Sequence, residues 1–151
     1  MSAAPRIREL EQRVGQEVAV SPWLEISQER IDTFARAIED FQWIHVDRER
    51  AKGSPYGGTI AHGFLTLSLL SHLSEMTFSF ADRKKGVNYG LNRVRFTAPV
   101  PSGSRVRARF TLAKYENIDG GGVQVTWSTT VEIEGKDKPA LVAEWIGRHY
   151  Y

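Results

Sequence analysis

The stretch from Thr59 to about Met76 constrains the fold of this chain most. Ile60, Phe64, Leu65, Leu67, Leu69, Leu70 and Leu73 place apolar side chains nearly all the way round a helix. A helix that is apolar on every side is buried on every side. It does not read as a membrane span, because His62, His72 and several Ser and Thr interrupt it. Something in the chain must therefore wrap it, and the C-terminal half supplies the wrapper. Leu91 to Thr97 is strand-like. In Ser104 to Leu112, Val106, Ala108, Phe110 and Leu112 alternate with Arg105, Arg107, Arg109 and Thr111. From Val123 to Glu134, Val, Trp, Thr and Ile alternate with polar residues in the same way. Both are period-two strands with one wet face. Asp119-Gly120-Gly121-Gly122 and Gly135-Lys136-Asp137-Lys138-Pro139 are the turns that follow them, and Leu141 to Tyr150 is the last strand. The expected architecture is α+β, an antiparallel sheet curled around one long helix.

The N-terminal half is mixed. Arg6 to Val14 reads as a short polar helix, and Glu17 to Ile26 as a strand or extended arm. Ser27 is an N-cap with Glu29 in the first turn. Ile31, Phe34, Ala35 and Ile38 then form one apolar stripe of a helix that ends near Asp40. Phe41 to Gly58, rich in Gly with Ser54 and Pro55, reads as irregular.

With 151 residues and no linker, the chain reads as one domain, 1–151. The formal charge of +2 and the lack of a Lys/Arg run argue against nucleic acid. The absence of cysteine excludes disulfides, thiolate metal sites and Cys nucleophiles. The first fourteen residues hold no apolar signal region, so a cytoplasmic location without membrane attachment is expected.

The candidate chemistry lies between the two helices. Asp40 falls where a helix ends, beside Phe41, Trp43 and Ile44, and His45 follows five residues later. A carboxylate and an imidazole this close suit proton transfer. Taken singly, each also reads as an ordinary loop or partly buried residue. Gly63 falls in the first turn of the apolar helix, where a free N–H and the helix dipole can meet a developing oxyanion, or where packing simply admits no side chain. Ser71 reads as a core Ser bonded to its own helix, or as a support for an acid/base residue. Asp40, His45 and Asp47 lack the spacing of a metal site, as do His62 and His72. Arg93, Arg95, Arg105, Arg107 and Arg109 make a solvated sheet face, or a surface for the phosphates of a nucleotide-tailed substrate.

Three segments together resemble the MaoC-like dehydratase family, in its NodN-like and (R)-specific enoyl-CoA hydratase branch. They are the Asp40/His45 pair, Ala61-His62-Gly63-Phe64 with Gly63 eighteen residues after His45, and Asn88 to Pro101. The resemblance implies a hot-dog fold and a homodimer with acyl-CoA tunnels at or near the subunit interface. It implies that Asp40 and His45 activate a water, that the Gly63 N–H faces the thioester carbonyl, and that Ser71 supports Asp40. Gln42, Trp43, Tyr56, Phe64 and Arg93 are the candidate substrate contacts. Two residues depart from the family pattern: Glu39 stands where Gly is usual before the Asp, and Gln42-Trp43 where Asn-Pro is usual.

The expected reaction is hydration of a trans-2-enoyl thioester to an (R)-3-hydroxyacyl thioester, a lyase activity of fatty-acid metabolism. No metal or cofactor is required, because CoA or acyl-carrier protein arrives with the substrate. The alternatives are a non-catalytic acyl-thioester binder or regulatory subunit, favoured by Glu39 and Trp43, and a thioesterase of the same fold. A homodimer is expected also on physical grounds, since a short curled sheet leaves an open edge and a half-covered helix.

Overall fold

A computed structural model describes residues 4–151; the first three residues of the expected 1–151 domain lie outside the described part. A 3-10 helix, Ile7–Arg13, opens the chain, and β1 (Glu17–Val20) and β2 (Leu24–Glu25) follow. Then come α1 (Gln28–Ile38), α2 (Trp43–Val46), α3 (Arg48–Lys52) and α4 (Gly63–Glu75). The chain finishes with β3 (Lys85–Phe96), β4 (Arg105–Ile118), β5 (Gly122–Ile133) and β6 (Leu141–Tyr150).

The strands form one antiparallel sheet in the order β1-β4-β5-β6-β3, with β2 also on β4. The alternation anticipated for β4 and β5 sets their inner face. Val106, Ala108, Phe110 and Leu112 are fully buried, as are Val123, Val125 and Val131. They pack on Leu65, Leu69, Leu70 and Leu73 of α4 in a single cluster. Each such side chain contributes about 1.5–3 kcal/mol on burial, so the helix–sheet contact dominates stability. Gly120 and Gly121 take φ of 84° and 74° in the β4–β5 turn, which a side chain would resist.

Several expectations are refined. The N-terminal helix is 3-10, and it buries Ile7 and Leu10 rather than being polar throughout. The 41–58 segment, expected to be irregular, holds α2 and α3. Ser27 caps α1, its side chain accepting from the Arg30 N–H at 3.2 Å. On α1, Ile31 and Ala35 are buried, but Ile38, the last residue of the helix, is exposed. The apolar helix begins at Gly63, four residues later than the apolar run, because Ile60 bridges to Pro101 in extended form. It is not buried all round: Phe64 and Ser71 are exposed on one face. β3 is longer than expected and forms one edge of the sheet, with Val87, Tyr89, Leu91 and Phe96 exposed.

Candidate active site

The site forms where α1 ends, α2 turns and α4 begins. α1 stops with Glu39 in the left-handed region, at φ 59°. That reversal sends Asp40 back toward the mouth of α4. The Asp40 carboxylate accepts from the Gln42 N–H at 3.2 Å, which shapes the turn into α2. The Gln42 carbonyl then accepts from the His45 N–H, closing the first turn of α2. Ile60 N–H donates to the Ile44 carbonyl, so the segment before α4 is tied to α2.

His45 is buried, and its Nδ1 lies 2.7 Å from the Ile60 carbonyl. A carbonyl only accepts, so in neutral His45 Nδ1 carries the proton and Nε2 holds the lone pair. Burial pushes the His45 pKa below its usual 6.5, against the opposing pull of that hydrogen bond. Its ring stacks on His62, with centroids 3.9 Å apart. His62 Nε2 lies 3.0 Å from the Asp40 carbonyl and 4.0 Å from an Asp40 carboxylate oxygen. One oxygen of Asp40 and one ring nitrogen from each histidine fall within 4.8 Å of one another. Two polar atoms at that spacing are bridged by one water making bonds of about 2.8 Å.

The same three side chains are the candidate metal ligands among the described residues. Their geometry fits poorly. The two rings lie within 23° of parallel, face to face, so their in-plane lone pairs do not converge on one ion.

His45, Gly63 and Tyr56 line a cleft of about 340 Å³, closed on its far side by Phe96 to Val100. Gly63 is the first residue of α4, where an N–H has no acceptor inside the helix. A Cβ on Gly63 would lie 2.9 Å from the Phe96 ring, so this position has no room for a side chain. A weak base and a helix N-terminus thus meet at one cleft wall, with an Asp40 carboxylate oxygen within 4.8 Å of a His45 ring nitrogen, the equipment for adding water next to a polarised carbonyl.

Residues 9–134 match the family model described as MaoC like domain. The chain belongs to the MaoC-like family. It is 52% identical over 143 residues to 3-hydroxyacyl-thioester dehydratase Z of Mycobacterium tuberculosis, covering 95% of each chain. It is 51% identical over 139 residues to Nodulation protein N of Rhizobium leguminosarum bv. viciae, covering 89% of this chain and 84% of that one. The (R)-hydratase from A. caviae involved in PHA biosynthesis superposes with a TM-score of 0.69 at 25% identity, over 89% of this chain and 94% of that one. The hot-dog fold expected from the motifs is therefore present.

Two further residues shape this MaoC-like site. In the sequence, His62 stands out only as a weak metal candidate and as part of the Ala61 to Phe64 motif, and Gln28 only as a polar residue on the apolar side of α1. Gln28 is buried; its amide donates to the His45 carbonyl and to Asp32, both at 2.8 Å, and its carbonyl accepts from the Thr59 hydroxyl. It therefore locks α1, α2 and the approach to α4 together.

The other anticipated residues divide. Tyr56 lines the cleft. Phe64 is exposed and packs edge-on against Phe96, which does line it. Gln42 shapes the α2 turn through its backbone. Trp43 lies under the Arg50 guanidinium, 4.3 Å away, and is not part of the cleft wall. Ser71 is not brought to Asp40 within one chain. It is eight residues along α4 from Gly63, roughly 12 Å, and opens on a different cleft beside Trp145. Arg93 lies exposed on β3, outside the cleft. Arg105, Arg107 and Arg109 are paired with Glu134, Glu132 and Glu17, which makes their face a solvated ion-pair ladder. Among the described residues no helix is long and apolar enough to cross a membrane.

Proposed function

We propose that this MaoC-like chain is a 3-hydroxyacyl-thioester dehydratase that interconverts a trans-2-enoyl thioester and the (R)-3-hydroxyacyl thioester. The observation that carries the reading is the Asp40 and His45 pair at one-water spacing beside the N-terminus of α4. The 52% identity to a 3-hydroxyacyl-thioester dehydratase supports it.

In the hydration direction, one water sits between the Asp40 carboxyl and His45 Nε2. His45 Nε2 takes a proton from the water as its oxygen bonds to C3. That proton passes through the Asp40 carboxylate to C2 on the same face, which leaves both groups as they began. The negative charge that develops on the thioester oxygen meets the Gly63 N–H, a contact of a kind worth roughly 2.7–4 kcal/mol. The Nδ1–H bond to Ile60 holds His45 in the tautomer this needs.

The substrate is an acyl thioester carried by CoA or by acyl-carrier protein. In this reading exposed Arg93 on β3 meets its phosphates, and Tyr56 and Phe96, which line the cleft, flank the acyl part. A homodimer fits the exposed apolar edge of β3 and the uncovered face of α4, which a second copy would cover. Of the two departures, Glu39 closes α1 in the left-handed region and Trp43 lies under the Arg50 guanidinium. Chiral analysis of the product from crotonyl-CoA tests the reading. The (R)-3-hydroxyacyl product without free thiol is expected. The (S)-product, or thiol release, overturns it.

A further inference from the structure

His62 has no part in the reaction scheme above, yet it touches both groups that do. Its side chain is 2% exposed. Its ring covers one face of His45, with centroids 3.9 Å apart and planes 23° from parallel. Its Nε2 lies 3.0 Å from the Asp40 main-chain carbonyl, which can only accept, so Nε2 carries the proton. Its Nδ1 is buried with no hydrogen-bond partner among the described residues. Phe34 of α1 packs edge-on against it, 5.2 Å between centroids. Such a ring, held from three sides and facing two working groups, is a built part of the site.

We propose that His62 is a positioning residue that shields His45 from water, so that the base stays uncharged, and pins the segment carrying Asp40 through its Nε2–H. The proposal rests on the reading of Asp40 and His45 as the acid/base pair.

Two effects follow from the stacking. The ring removes water from the face of His45, and lost hydration disfavours the charged imidazolium. His62 in contact also disfavours positive charge on His45 by electrostatic repulsion. Both effects keep His45 Nε2 free to accept. The groups facing His45 are few. Asp40 comes from the end of α1 and favours its charged form, His62 from the start of α4 opposes it, and Tyr56 shares the cleft. Phe34 of α1, which packs on His62, and Phe96 of β3, which lines the same cleft, are uncharged. The Asp40 contact is separate: with Oδ1 held by Gln42 N–H and the carbonyl held by His62, the carboxylate keeps its aim.

Two substitutions separate these roles. His62→Gln keeps an amide donor for Asp40 but removes the ring that covers His45. His62→Phe keeps the cover but removes the donor. Histidine resonances are followed by NMR across pH 4–9, with His45 assigned through a His45→Gln reference, and pH–rate profiles for crotonyl-CoA hydration are taken alongside. In His62→Gln the His45 titration and the acid limb of kcat/KM are expected to move up together by about one pH unit. In His62→Phe the His45 titration is expected to stay low, while kcat drops about 10- to 100-fold with KM little changed. A merely structural His62 would lower the melting temperature of both variants without moving the titration. An unshifted His45 in folded His62→Gln, or full kcat in His62→Phe, overturns the proposal. The NMR titration needs no turnover. A wild-type protein that hydrates nothing would therefore sink the acid/base reading and leave the shielding of His45 to be judged on its own.

Discussion

Gln28 offers the sharpest test of how the site is held. It is 7% exposed on the first turn of α1, and it satisfies two buried groups from other segments, the His45 carbonyl and the Thr59 hydroxyl. Gln28→Leu keeps the bulk and removes both partners. Asp32, its third partner, is only half-buried and recovers water. A buried polar group left unpaired costs about 1–3 kcal/mol, so the two together cost about 2–6 kcal/mol. Much of a typical domain's stability of about 5–15 kcal/mol is at stake. Urea unfolding at pH 7 should show a lower midpoint at unchanged slope. Thr59→Val removes one of the stranded groups, so the double variant should lose less than the sum of the singles, by about 0.5–3 kcal/mol. Turnover should fall as well, because the His45 peptide loses its tie to α1. A Gln28→Leu protein within about 0.5 kcal/mol of wild type, or strict additivity with Thr59→Val, would refute the reasoning.

Further predictions concern backbone, packing and pH. Glu39 is the one non-glycine residue at positive φ among those described, and the left-handed region costs such a residue roughly 1–2 kcal/mol. Glu39→Gly should leave stability equal or higher in thermal unfolding, whereas Glu39→Val should lose about 1 kcal/mol or more. Gly63→Ala places a methyl 2.9 Å from the Phe96 ring and must push it within the cleft. Hydration should fall on the order of 100-fold, while the melting temperature moves little because Ala gains up to about 1 kcal/mol in helix propensity. His149 is half-buried on β6, and burial, with repulsion from Arg83, pushes its pKa from 6.5 down to about 4. Between those values the unfolded chain binds the extra proton, so this contribution is complete above pH 6.5 and is lost as pH falls toward 4. The melting temperature should decline over that window, and less steeply in His149→Gln.

The fold was legible because its two strongest signals are local. Alternation in β4 and β5 marks one buried face directly, and the leucines of α4 demand a cover. β3 was underestimated because it is a sheet edge exposed on both faces, so no alternation betrays its first half. The short helices α2 and α3 were missed because one turn carries too few residues for a period. At the site, Asp40, His45 and Gly63 are expected only from three motifs taken together, and the fold brings them near one another at the start of α4. Glu39 was legible only as a departure from Gly; the structure gives the reason Gly is at ease there, a left-handed φ of 59°. His62 and Gln28 stayed hidden for a different reason. Their roles depend on a stack and on hydrogen bonds between segments 17 to 31 residues apart, which no local pattern encodes.

The most direct measurement is the loss of conjugated enoyl absorbance when the purified protein meets crotonyl-CoA, with Asp40→Asn in parallel and free thiol monitored. The account predicts rapid loss in wild type without thiol, and a rate about 10²–10⁴-fold lower in Asp40→Asn. Equal rates in the two proteins would contradict it.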